Sequence, residues 1–145
     1  MTVGRFLVRT IVVAVTMFAL GFLGHQLLLG RDYAAIEPIM RSKPEMQAHM
    51  QFAPISCLVF SAAFAWIYSQ GRSARLWLGQ GIRFGVAVWA IASVPQYLTN
   101  YVIEPWPGMF VAKIVAWEFI AAVLLGILVA ALARNDGAQT RAAKV

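Results

Sequence analysis

The chain has 145 residues, of which 61% are hydrophobic and 12% charged, and a formal net charge of +6. Soluble domains carry roughly a quarter charged residues, so a soluble globular protein is excluded, as is a disordered chain, which needs low hydrophobicity. Cys57 is the only cysteine, which removes disulfide frameworks, paired-cysteine redox chemistry and multi-cysteine zinc sites. What remains is a small integral membrane protein of the all-α class.

A hydrocarbon core of roughly 30 Å takes about 20 helical residues, and stranded charges are costly within it. Four stretches meet this condition: Thr10 to Leu29, Gln51 to Ser69, Phe84 to Ile103 and Met109 to Ala133. The first three hold no Asp, Glu, Lys or Arg, and the last carries only Lys113 and Glu118. The expectation is a single domain over residues 1–134, a bundle of four transmembrane helices, followed by a polar, fraying tail at 135–145. The first span is read as a retained helix and not as a cleaved secretory signal, because its apolar run is long and Gly24, His25 and Gln26 do not make a small-residue cleavage site.

Between the first two spans, residues 30–50 form a long connector with Pro38 and Pro44, whose stretch from Tyr33 to Met40 is expected to be a short interfacial helix. Gln70 to Arg75 reads as a tight polar turn. Glu104, Pro105, Trp106, Pro107 and Gly108 read as a stop, with the prolines breaking the helix and Gly108 reversing the chain. Trp66, Tyr68, Trp77, Tyr101 and Trp106 lie near span boundaries and are expected to anchor at the interfaces. Pro95, inside the third span, predicts a kink and a freed carbonyl.

Orientation follows from basic residues, which are retained on the cytoplasmic side of short flanking segments. Arg5, Arg9, Arg72, Arg75, Arg83, Arg134, Arg141 and Lys144 fall on one side, against the single acid Asp136, whereas the other side is near neutral. Both termini are therefore expected to be cytoplasmic and the 30–50 connector external. The layout is similar, in architecture alone, to small bacterial inner (plasma) membrane proteins. The positive charge is accounted for by topology, so no nucleic-acid partner is expected; the partners are the lipid bilayer and a small hydrophobic ligand, a second copy of the chain or a larger membrane complex.

Small residues let membrane helices approach closely. Gly21 and Gly24, Ser61 with Ala65, and Ala122 with Gly126 supply such faces. A weak internal echo, Val13-Ala14-Val15 after Arg9 and Val86-Ala87-Val88 after Arg83, hints at duplicated hairpins.

Glu118 carries the most chemical information, because a carboxylate near mid-bilayer costs a few kcal/mol and such residues face a bundle interior or water. At a similar depth stand Gln96 and Tyr97 on span three, Ser56 and Cys57 on span two, and His25 on span one. If these face inward, they surround one acid in a polar cavity, and Glu118, His25, Gln96, Tyr97 and Ser56 are the candidate ligand-binding residues. Arg83 lies at the opposite end of span three and is expected to snorkel to headgroups. Lys113 is expected to reach headgroups or Glu104, and it points roughly 140° away from Glu118 around an ideal helix.

Three functions fit these residues. The first is a non-catalytic membrane protein that binds a small molecule or lipid in the cavity, or serves as a subunit of an assembly. The second is a transporter or channel component with Glu118 as a proton or cation site. The third is a haem or copper protein using His25 with Met40, Met46, His49 and Met50, since imidazole and thioether suit those metals; His25, His49 and Met50 would be its ligands. The sequence requires no cofactor, and it lacks a phosphate loop, an H-E-x-x-H helix or a nucleophile with its base, so an enzyme is not expected.

Overall fold

A computed structural model of the chain describes residues 2–71 and 76–142, with side chains as far as residue 134. Among the described residues every regular element is helical, and four helical stretches are long and apolar enough to cross a membrane: Val3–Leu28, Phe52–Gln70, Trp77–Ile103 and Gly108–Arg134. The expected four-helix bundle is therefore present. Arg72, Arg75 and Lys144, and with them the Gln70 to Arg75 turn, fall wholly or partly outside the described residues, as do the side chains of Asp136 and Arg141.

The first span comprises α1 (Val3–Gly21) and a π-helical stretch, Phe22–Leu28. It starts seven residues earlier than its charge-free stretch suggested, because Arg5 and Arg9 are helical. Arg9 is buried within the bundle, 3% exposed, on the same face as Val13 one turn later. The connector holds α2 (Gly30–Ile36), a 3-10 turn at Glu37–Ile39 and α3 (Lys43–Ala48). Its interfacial helix thus begins before Tyr33 and ends before Pro38, which sits in the 3-10 turn. The start of α3 is fixed by a capping box in which the Ser42 hydroxyl and backbone amide both reach the Glu45 carboxylate, at 2.7 and 3.0 Å. These bonds favour ionised Glu45 and hold its carboxyl below the usual carboxylate range.

The second span is α4 (Phe52–Gln70), with Pro54 in its first turn, where a missing amide hydrogen costs no intrahelical bond. The third comprises α5 (Trp77–Val88), a π-helical stretch at Trp89–Ser93 and α6 (Val94–Ile103). The disturbance expected at Pro95 appears in the turn before it, where the proline ring crowds the carbonyl of Ile91. The fourth, α7 (Gly108–Ala142), runs beyond the span, so residues 135–142 have helical backbone where a fraying tail was expected. Gly108 opens α7, and no described glycine has positive φ; the reversal belongs to Glu104–Pro107.

α5 lies along α7, α1 lies along α4, and α1 joins the two pairs through α7. The α5–α7 contact depends on glycine. A β-carbon at Gly126 would strike the Gly81 carbonyl oxygen, and one at Gly85 would strike that of Ala122. Such proximity gives van der Waals contact where lipid offers no hydrophobic drive. The seam continues beside the first π stretch, where a β-carbon at Gly24 would overlap the Trp117 indole.

Two buried clusters result. One, toward the termini, contains Val13, Phe64, Ala65, Tyr68, Leu125 and Val129. The other, toward the connectors, contains Leu29, Ile36, Phe110 and Ile114, flanked by Tyr33, Tyr97 and Trp106. Tyr68, 5% exposed, and Trp106, packed against Phe110 at 5.3 Å between ring centres, therefore belong to the interior and not to an aromatic belt. Their rings lie on the inward faces of their segments, a placement that nearness to a boundary does not reveal.

Gly126→Val is expected to lower the unfolding temperature in detergent, because overpacking costs about 1–3 kcal/mol. Gly79→Ala, whose β-carbon meets open space, leaves it unchanged or slightly raised. Equal effects from the two would contradict the glycine seam.

Candidate functional site

Between the two clusters lies a cavity of about 500 Å³. Its apolar part is lined by Met17, Leu20, Phe60, Val88 and Leu125, and its polar part by His25, Ser56, Ser93, Gln96, Tyr97 and Glu118. All five candidate residues named from the sequence therefore line one cavity. Each span contributes: the π stretch after α1 supplies His25, α4 supplies Ser56, α6 supplies Gln96 and Tyr97, and α7 supplies Glu118.

Glu118 is the centre of the polar part. Its Oε1 lies 3.4 Å from His25 Nε2 and 3.5 Å from the Tyr97 hydroxyl. Both distances exceed those of tight hydrogen bonds, so the carboxyl group is approached without being saturated. His25 Nδ1 lies 2.7 Å from the Tyr33 hydroxyl. Burial, then the negative charge of Glu118, push the Tyr33 phenol up to about 12, which keeps its proton in place. The phenol can then donate to Nδ1 and leave Nε2–H to donate toward Glu118. This chain runs from α2 to α7 through the first span.

Tyr33 is fixed in turn by its edge-on contact with Phe110, 5.1 Å between ring centres, and α2 is tied to α7 by a 2.7 Å ion pair between Asp32 and Lys113. Lys113 is thus paired with Asp32 and not with Glu104 or headgroups; the partners are far apart in sequence and meet only because α2 folds back over α7. Gln96 and Cys57 are engaged away from Glu118. Gln96 Nε2 donates to Asn100 Oδ1 at 3.0 Å, while the Cys57 thiol lies 3.3 Å from the Ala14 carbonyl, linking α4 to α1. Arg83 is exposed on α5, away from the cavity.

The methionine- and histidine-bearing part of the connector lies outside the lining of the cavity that holds His25. His49 is exposed, 2.7 Å from the Glu45 carbonyl and stacked on Phe52, and neither it nor Met40, Met46 or Met50 lines the cavity. Among the described residues no group of three or more His, Cys, Asp or Glu side chains is placed to hold a metal ion. Tyr33 and Trp117 are not among the residues expected at the site from the sequence, although one contacts His25 and the other lines the cavity. Tyr33 stands eight residues from His25, and the fold-back of α2 brings it into reach; for Trp117, the adjacent glutamate and a facing glycine were the available signals.

Comparison of the chain with protein families, with characterised proteins and with solved structures finds no match.

The raised Tyr33 value has a defined pH consequence. An exposed tyrosine ionises near 10, and in the fold Tyr33 holds its proton to about 12. Its contribution to stability is complete below the unfolded value and is lost as the pH rises from there toward the folded one. Spectrophotometric titration of wild type minus Tyr33→Phe is expected to isolate one phenol ionising near 12; a difference curve centred at the ordinary tyrosine value would contradict the contact.

Proposed function

We propose that this is a non-catalytic membrane protein that binds one small molecule in the inter-helix cavity, with the polar group of the ligand held at Glu118 and its apolar part against Met17, Leu20 and Leu125. The observation that carries this reading is the cavity itself. A volume of about 500 Å³ lies within the range of small-molecule sites, which are mostly apolar with a few convergent polar groups. A glutamate needed only to pin helices together would be saturated by its neighbours, whereas Glu118 has two long contacts on a single oxygen. The excess of arginine toward the termini supports a plasma-membrane protein with both termini cytoplasmic, and the cavity then opens in the half of the bilayer away from the cytoplasm.

A second reading, in which Glu118 is a proton site of a transporter or channel component, is favoured by the Tyr33–His25–Glu118 chain leading to the connector end. Proton flux into liposomes that disappears in Glu118→Gln and persists in Arg83→Gln would favour it.

Native mass spectrometry of the purified protein in a mild detergent tests the binding reading. The expected result is a protein species carrying one retained small molecule, with occupancy lowered at least tenfold in Glu118→Gln. Wild type without any retained molecule, in detergent and in nanodiscs alike, would contradict it.

A further inference from the structure

We propose that the cavity is reached sideways from the bilayer, between α4 and α6, and that it selects single-chain amphiphiles bearing a protonated amine. The inference deepens the binding reading above and rests on it.

The route follows from how the helices pair. α1 packs on α4 and α5 packs on α7, whereas α4 and α6 are not a closely packed pair. Toward the termini the α4 side is closed by aromatic rings, with Phe84 of α5 lying 4.6 Å from Phe64 and 5.3 Å from Tyr68 between ring centres. Toward the connectors no corresponding ring contact joins α4 to α6 among the described residues, and the cavity-lining Ser56, Ala92 and Gln96 are all exposed. In a bilayer this flank faces lipid. The water-facing approach beside α7 is covered instead, since Tyr33 and Trp106 each pack edge-to-face with Phe110 in the cluster next to the polar end of the cavity and Lys113 ties α2 down through Asp32.

The chemical class follows from charge. Among the described residues Glu118 is the one acidic group lining the cavity, and no Lys or Arg lines it. Lys113, the nearest lysine along α7, is committed to Asp32 at 2.7 Å. An anionic head would meet the Glu118 carboxylate with no lysine or arginine beside it and only His25, already turned to that carboxylate at 3.4 Å, to offset it, whereas an ammonium supplies three donors to a site rich in acceptors. A charge-assisted bond is roughly twice as strong as a neutral one, so an alcohol of equal chain length binds less well. The apolar part runs from Glu118 past Ala121 and Ala122 to Leu125, about 10 Å along the helix axis, and a cavity of about 500 Å³ has room for one alkyl chain and not for two side by side.

The test uses the full chain in phosphatidylcholine nanodiscs, with dodecylammonium, dodecanol and dodecanoate added in turn, and reads bound stoichiometry by native mass spectrometry. The expected result is saturable binding of one dodecylammonium, at least tenfold tighter than either of the others, with that preference abolished in Glu118→Gln. Equal binding of amine and alcohol, unchanged in Glu118→Gln, would overturn the amine assignment and leave the binding reading standing; no binding of any of the three, together with no co-purified molecule, would overturn both. Displacement of dodecylammonium by added phosphatidylethanolamine would overturn the single-chain assignment in favour of a lipid headgroup. For the route, Ser56→Cys and Gln96→Cys on a Cys57→Ser background, bridged by a bismaleimide, are expected to slow dodecylammonium association at least tenfold relative to the unbridged protein, and unchanged association would overturn lateral access. Should the double variant fail to fold, Gln96→Trp narrows the same opening from one side and is expected to slow association likewise, with an unchanged rate again overturning it.

Discussion

A carboxylate within a membrane span must be sheltered, because even lenient insertion scales charge a few kcal/mol for it at the helix centre. In this protein the shelter is a set of contacts from three other segments. Tyr97 approaches from α6 and His25 from the first span, with His25 steadied by Tyr33 of α2. Glu118 therefore does more than occupy the cavity, since the placement of the connector helix over the bundle serves it too. The Asp32–Lys113 pair and the packing of Tyr33 on Phe110, itself backed by Trp106, hold that helix where the Tyr33 hydroxyl can reach His25.

The cavity arises from uneven helix packing. Glycines at 81, 85 and 126 draw α5 against α7 until backbone touches backbone, and the Cys57–Ala14 contact binds α4 to α1. Lipid chains are as apolar as leucine, so helices close up only where shape or hydrogen bonds reward it. Such rewards are concentrated within the two pairs and between α1 and α7. The two π-helical stretches lie beside the resulting space, and they supply His25 on one side and Ala92 and Ser93 on the other. A π turn rotates the residues that follow it relative to a regular helix, a local irregularity often found at functional sites.

The number of spans and the depth of the polar layer were legible in the sequence because hydrocarbon imposes a simple rule on charge and length, and Glu118 is its conspicuous exception. Counting residues from the span centres placed His25, Ser56, Gln96 and Tyr97 at one level with it, and the fold turns all four toward one cavity. Arg83 misled the boundary of the third span: treating it as an edge hid Gly81-x-x-x-Gly85, whose spacing signals close packing. Arg9 misled likewise, because distance along the chain does not reveal which face of a helix turns inward. Ser42-Lys43-Pro44-Glu45 was a readable helix start. The π-helical stretch at Phe22–Leu28 and the return of Asp32 to Lys113 had no local signature, since both depend on neighbours far away in sequence.

The most direct measurement of the central claim is a double-mutant cycle in detergent on Glu118→Gln and His25→Phe, with unfolding free energy as the readout. If the acid is sheltered by its neighbours as described, the two substitutions are non-additive by about 0.5–2 kcal/mol. Strict additivity, with Glu118→Gln alone leaving stability unchanged, would mean that the carboxyl group is not held among the helices, and the cavity would lose its polar anchor.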